Sequence, residues 1–196
     1  MLLPIRTLGD PVLREPAKPV EQFDRTLRRL AKDMTETMYQ APGVGLAAPQ
    51  VGVSLQLAVI EDPEEYLSHL SEDQLTSTQR AAVPFHVIIN PKLTFTDDSR
   101  ATFFEGCLSV EGYQAIVDRA LKVRVECLNE RGEEMTINAH GWYARILQHE
   151  IDHLNGTLYI DRMKTRTLTT GENMFRYWND KSIDQVLADV GDDQRA

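Results

Sequence analysis

The apolar positions of the chain change rhythm along its length. Between Gln22 and Gln40, Phe23, Leu27, Leu30, Met34 and Met38 step by four and three residues with charged positions between them, the stripe of an amphipathic helix laid on a core. APGVGLAAPQVG (41–52) follows with three glycines and two prolines, which predicts a loop whose backbone something approaches closely. LQLAVI (55–60) then predicts a buried strand. Residues 61–84 are polar, acidic and aperiodic apart from a helical pattern around EEYLSHL, so they are expected to form a surface insertion. From Phe85 to Ala139 the pattern is one of short strands: FHVIIN, KLTFT, a stretch ending at EGCLSV, YQAIV, then LKVRVECL and EEMTINA. The last two flank Asn129-Glu130-Arg131-Gly132 as a hairpin. A helical pattern returns from about Gly141 to Leu154, with Gly156 placed for a left-handed cap. Beyond it lie GENMFRYWND and a short IDQVLADV segment, and the acidic tail, about 180–196, is expected to fray. A helix, a run of mostly antiparallel strands and a second helix predict an α+β fold.

Length and composition narrow the classes. A chain of 196 residues with 42% hydrophobic content builds one sizeable core, so a single domain over 1–196 is expected. The formal net charge of -9 argues against binding of bare DNA or RNA and against an anionic membrane surface. No run reaches the apolar length of a membrane span. The opening MLLPIRTLGDPVLREP is broken by proline and charge before a signal-peptide core can form, which reads as a cytosolic start without a signal or transit segment. The cysteines are two, Cys107 and Cys127, too few for a disulfide framework. Cys127, within LKVRVECL, reads as a small core hydrophobe.

The helix from Gly141 carries the densest chemistry. Trp142, Ile146, His149 and His153 are spaced four, three and four apart, so both imidazoles share one stripe with large apolar groups and point inward. Residues four apart on a helix have β-carbons roughly 5 to 6 Å apart, close enough for two imidazoles to converge on one ion. Glu150 lies about 100° around the helix from His149, a poor third ligand but well placed as a base for a water at the metal. The plain alternative is a pair of hydrogen-bonded core histidines beside a solvated glutamate. Tyr159 stands where the long H-E-x-x-H-x-x-G-x-x-H pattern requires a third histidine, which excludes that class. A thermolysin-like site would draw its third ligand from Glu172, nineteen residues after His153. A thiolate from Cys107 is the other candidate. A closed site with four protein ligands would make the protein a non-enzymatic metal-binding module.

Read together, GVGLAAPQ (43–50), EGCLS (105–109) and QHEIDHLNG (148–156) resemble the three signature motifs of peptide deformylases, in order. RTLGDPVLREPAKPV and GWYARILQHEIDHLNGTLYIDRM extend the resemblance, toward the branch that includes organellar deformylases, over about three quarters of the chain. The resemblance implies a peptide-deformylase-like fold, with mostly antiparallel sheets around the metal-binding helix. It implies metal-dependent hydrolysis of the N-formyl group from N-terminal formyl-methionine of nascent polypeptides, with release of formate. It implies one divalent ion held by Cys107, His149 and His153 with water in the fourth position, Fe2+ natively and Zn2+, Ni2+ or Co2+ after purification. Glu150 is then general base and acid, and Gln50 with the backbone N–H of Leu108 stabilises the oxyanion. Gly43, Val44 and Gly45 offer backbone to a bound peptide, and Val44, Trp142, Ile146 and His149 are candidates for the methionine pocket. The resemblance also implies that Glu105 pairs with Arg119 behind the Cys107 turn. The family further implies formyl-Met nascent chains as partners, encounter with the ribosome exit region and a bacterial cytoplasmic setting, although the tail DVGDDQRA is not basic.

Overall fold

The computed structural model describes residues 1–191. In chain order its elements are α1 (Arg25–Gln40), β1 (Gly45–Ala47), β2 (Leu57–Asp62), α2 (Glu64–Leu67), α3 (Glu72–Thr78), β3 (Val83–Phe95), β4 (Arg100–Gly106), β5 (Tyr113–Ala120), β6 (Lys122–Leu128), β7 (Glu134–His140), α4 (Gly141–Leu154), β8 (Thr169–Thr170), α5 (Gly171–Tyr177) and α6 (Ile183–Asp189). Two sheets form among the described residues, in the orders β1-β2-β3-β6-β7 and β4-β5-β8. Every pairing between these strands is antiparallel. The expected α+β class is what the fold shows.

The larger sheet is covered on both faces. Ala58, Ile60 and Ile88 point to the side where Ala144, Leu147 and Ile151 of α4 pack. Leu57, Val59, Val87 and Ile89 point to the other side, against Leu27, Ala31, Met34 and Met38 of α1. This accounts for the uninterrupted apolar run of β2, since a strand buried on both faces has no polar alternation. Helix α1 begins two residues after the first position of its apolar stripe, because the Asp24 side chain accepts from the Leu27 N–H and caps it. Phe23 stays outside the helix and packs beneath the core.

Three local expectations change. The stretch 45–51, expected to be all loop, contains β1, which pairs Gly45, Leu46 and Ala47 with Ile60, Val59 and Ala58, and a 3-10 turn from Ala48 to Val51. Three residues are too few for a periodicity to register, and the partner strand supplies their order. FHVIIN and KLTFT are one strand, β3, whose register shifts between Ile89 and Lys92. There Asn90 adopts φ 51°, held by its side chain, which accepts from Val20 N (2.8 Å) and donates to Val20 O (2.9 Å); Pro91 has no N–H to lose at the irregularity. In the tail, Ile183–Asp189 form a helix capped by Ser182 and Gln185, with Val186 buried. The remainder of the segment expected to fray, residues 192–196, lies outside the described residues.

Helix α4 reaches both sheets. Gln148 fixes it to β5, its amide accepting from Ala120 N (3.0 Å) and donating to Ala120 O (2.8 Å). Gly156 follows its end with φ +72°, as the cap pattern predicts. No helix among the described residues is long and apolar enough to cross a membrane.

Candidate active site

Two elements deliver the groups that could hold a metal ion. His149 and His153 project from adjacent turns of α4, with ring centroids 5.0 Å apart and ring planes at 74°. Cys107 is the first residue beyond β4, in a tight turn closed by Val110 N donating to Cys107 O at 2.9 Å. Its Sγ lies 3.2 Å from His153 Nε2. One ligand atom from each of the three residues falls within 4.8 Å of the others. Metal–sulfur and metal–nitrogen bonds of about 2.3 and 2.1 Å around a tetrahedral ion separate such atoms by roughly 3.5 Å, so the donor set fits a single divalent ion. Burial, and then the neighbouring His149, push the His153 pKa well down, leaving a neutral imidazole with a lone pair to give. Glu172, the alternative third ligand, is exposed on α5. It is absent from the one cluster of three or more His, Cys, Asp or Glu side chains that could hold a metal among the described residues, so that alternative falls.

Behind the cluster stands a buried charge network. Glu105 accepts a two-pronged pair of hydrogen bonds from Arg119, both 2.9 Å, a third from Arg145 at 2.6 Å, and contacts His149 Nδ1 at 3.1 Å. Burial alone would raise the Glu105 pKa; the hydrogen bonds from Arg119 and then His149 outweigh it and hold the carboxyl well below its usual range. A carboxylate on Nδ1 orients the ring and leaves Nε2 for the ion. Arg119 also donates to Asp152, which takes a further pair from Arg162 at 2.6 and 2.7 Å. The Glu105–Arg119 contact is therefore part of a chain running from β4 through β5 to α4 and beyond.

Glu150 faces the same space from a different angle. It is buried, its Oε2 has no hydrogen-bond partner among the described residues, and burial pushes its pKa up to about 7. A base poised near neutrality and left unpaired is suited to moving protons. Gln50 is fixed by accepting from Ala47 N at 2.9 Å through Oε1, which turns its NH2 toward Cys107 Sγ (3.6 Å) and Ser109 Oγ (3.2 Å). Both groups open onto a cleft of about 650 Å³, whose walls include Gly43, Val44, Gly45, Leu108, Trp142 and Ile146. β1, whose Gly45 lies against Glu150, is the edge strand of the larger sheet.

The structure thus brings together every residue singled out in the three motifs. It also adds several. Arg145 is buried and holds both Glu105 and Val117 O (3.1 Å); standing four residues before His149, it shares the inward stripe, a signal present in the sequence. Ser109 is fully buried, and its own N–H points at Cys107 Sγ from 3.4 Å. Tyr159 stacks on His149 with centroids 6.4 Å apart, and nothing in the local pattern announces it. Asp152, undecided from sequence, is the shared acceptor of Arg119 and Arg162. His86 bonds Pro84 O and Tyr143 OH away from the cluster. Burial raises the Cys127 thiol to about 11, in keeping with a core residue.

Comparison with known proteins gives a consistent outcome. A family model described as polypeptide deformylase matches residues 2–168. The chain is 47% identical over 190 residues to peptide deformylase 1 of Bifidobacterium longum, covering 96% of this chain and 85% of that one. It is 47% identical over 169 residues to the chloroplastic peptide deformylase 1A of Solanum lycopersicum, covering 85% of this chain and 61% of the relative. Among solved structures, the peptide deformylase of Synechococcus elongatus in complex with actinonin superposes with a TM-score of 0.73 at 42% identity, covering 84% of this chain and 82% of that one. A Met-Ala-Ser-bound class I type b peptide deformylase from Acinetobacter baumannii does so with a TM-score of 0.73 at 33% identity, covering 83% of this chain and 99% of that one.

Proposed function

The chain belongs to the polypeptide deformylase family, and on that premise we propose that it hydrolyses the formyl group from N-terminal formyl-methionine of newly made polypeptides, releasing formate. One observation carries the reading: a thiol and two imidazoles converge within 4.8 Å of one another beside a buried carboxylate with an unpartnered oxygen, at the wall of an open cleft. The whole chain, 1–196, acts as one domain, with 61–84 as an insertion.

Cys107, His149 and His153 hold one divalent ion, iron(II) natively, with zinc, nickel or cobalt able to take the same thiolate–imidazole set. When bound, the ion supplies Lewis acidity toward the formyl oxygen and activates water for attack. Glu150 accepts the proton of the attacking water and passes it to the departing amine, one carboxyl serving both steps. Negative charge gathering on the formyl oxygen is met by Gln50 Nε2, already locked by its bond to Ala47 N, and by the Leu108 N–H in the same turn as Cys107. A glutamine donates there without titrating, whereas a glutamate would repel the charge.

Glu105 and Arg119 brace the turn and the His149 ring. The peptide lies along Gly43, Val44 and Gly45, adding to the free edge of β1, and its methionine side chain enters between Val44, Trp142 and Ile146 beside His149. A carbonyl carbon bearing only hydrogen would fit the space that Gln50 and Leu108 leave beside the Cys107 and His149 side chains, whereas an added methyl would collide there, which rejects acetyl groups. The near-full-length bacterial relatives support a bacterial source, and we place the reaction in the cytoplasm, where such chains leave the ribosome.

The test is release of formate from formyl-Met-Ala-Ser, run beside acetyl-Met-Ala-Ser and a peptide with an unmodified internal amide. Turnover of the formyl peptide alone is expected; cleavage of the internal amide, or no formate from any of them, would overturn the reading.

A further inference from the structure

Arg80 stands outside the cleft, at the end of the 61–84 insertion, yet its guanidinium is held from two directions. Its Nε and Nη2 donate to Oδ2 and Oδ1 of Asp62 at 2.7 and 2.8 Å. Asp62 has no exposed surface. The same guanidinium carbon sits 5.2 Å from the centroid of the Trp142 ring, within cation–π range. Trp142 is further confined by Phe103, whose ring centroid is 6.2 Å away at 60°, and by Arg145, whose guanidinium carbon is 5.7 Å from it. The end of the insertion also seats on the first turn of α4: a β-carbon on Gly141 would stand 2.5 Å from Gln79 Cβ and 2.6 Å from Gln79 O. An aperiodic polar segment thus returns against the residue that walls the apolar part of the cleft.

We propose that Arg80 is a positioning residue for substrate selection: clamped by Asp62, it fixes the Trp142 indole as a wall of the cleft and so gives the 61–84 insertion a part in choosing the side chain next to the formyl group. The inference rests on the deformylase reading of that cleft. A planar guanidinium can engage a buried carboxylate with two parallel bonds and still present a face to an aromatic ring, which an ammonium cannot do at once. Released from the clamp, the indole gains rotamers, and the pocket loses the fixed shape by which it distinguishes methionine from smaller or branched side chains.

The experiment compares wild type, Arg80→Met and Arg80→Lys on formyl-Met-Ala-Ser, formyl-Leu-Ala-Ser and formyl-Ala-Ala-Ser. In Arg80→Met, KM for the methionine peptide should rise about fivefold, the scale of one cation–π contact that keeps some solvent access, with kcat nearly unchanged and the preference for methionine over alanine reduced. Arg80→Lys, which keeps the charge and is the variant to use should Arg80→Met not fold, should fall between. The chain has two tryptophans, so in a Trp178→Phe background the fluorescence reports Trp142, and acrylamide quenching should increase in Arg80→Met. An unchanged selectivity ratio, or a loss shared equally by the three peptides through kcat, overturns the proposal. A wild type inert toward every formyl peptide would instead sink the deformylase reading, and unchanged quenching would then dispose of the clamp separately.

Discussion

Gly45 and Glu150 compete for one small volume. A β-carbon on Gly45 would lie 2.6 Å from Glu150 Cδ and 2.8 Å from its Cγ, closer than real β-carbons come to other atoms. The glycine in GVGLAAPQ is therefore required by the Glu150 carboxyl as much as by any peptide that runs along β1. Its backbone remains in register with Ile60, so the conflict falls on the side chain alone.

Gly45→Ala should consequently disturb chemistry more than folding. The displaced carboxyl leaves its place beside the Cys107, His149 and His153 cluster, and kcat for formyl-Met-Ala-Ser should fall by about 10²-fold, the lower end of what a general base contributes. Metal content, read by elemental analysis, should stay near one ion per chain. Wild-type turnover in the variant would show that Glu150 works from elsewhere.

Removing a ligand and removing the base should separate binding from turnover. Cys107→Ala loses the sulfur that approaches His153 Nε2 and is expected to lose the ion on dialysis, with activity. Glu150→Ala should retain the ion and release no formate. Stripping wild type with a chelator should abolish activity and re-addition of iron(II) or nickel(II) restore it; recovery by Cys107→Ala under the same re-addition would contradict the ligand assignment.

Glu105→Gln should unfold the protein more readily and also loosen the site. Glu105 neutralises Arg145 and shares Arg119 with Asp152, all with side chains that are largely buried, and leaving the Arg145 charge uncompensated costs about 3–5 kcal/mol. The exposed Arg100–Asp118 pair offers the contrast, since Asp118→Asn should change stability by about 1 kcal/mol or less. Denaturant midpoints of the two variants measure the difference. Because Glu105 also contacts His149 Nδ1, metal affinity should drop about 10- to 100-fold in Glu105→Gln and hold in Asp118→Asn.

The metal-free protein should carry a pH signature from Glu150. Burial raises its folded-state pKa to about 7, against about 4.3 for a free glutamate. A raised acid favours the folded state while it is neutral, so the contribution is fully present below about pH 4.3 and is lost as pH rises through about 7. Over that window the folded state should lose about 3 kcal/mol that a Glu150→Gln variant keeps. Denaturant melts of the two proteins at pH 5 and pH 8 test this; parallel curves would mean the carboxyl ionises freely. Glu105, whose carboxyl is held low, works in the opposite sense: its contribution is present above the ordinary glutamate pKa and is lost only as pH falls below it.

Periodicity carried the secondary structure wherever an element was long enough to repeat. The α1 stripe, the β6–β7 hairpin and α4 with its glycine cap were all legible, because burial on one helix face, or alternation at a solvent-facing strand, writes itself into the order of residues. The strand β1 was not, since three residues contain no period and acquire their form from pairing with β2. Nor was the joining of FHVIIN and KLTFT into one strand, which depends on Asn90 reaching back to Val20, seventy residues earlier.

For the site, the sequence by itself determined the chemistry available: a histidine pair at helical spacing, a glutamate between them, and a cysteine and a glutamine in two distant glycine-bearing motifs. That inventory was sufficient to name the reaction through its resemblance to a family. It left the choice between Cys107 and Glu172 open to spacing arguments, because contacts between residues far apart in the chain have no local signature. Only the tertiary structure set Sγ beside His153, joined Arg145 and Asp152 to the Glu105–Arg119 pair in one buried network, and folded the insertion back so that Arg80 lies over Trp142. Such placements follow from how two sheets and a helix pack as solids, where volume and charge compensation decide what no stretch of sequence can encode alone.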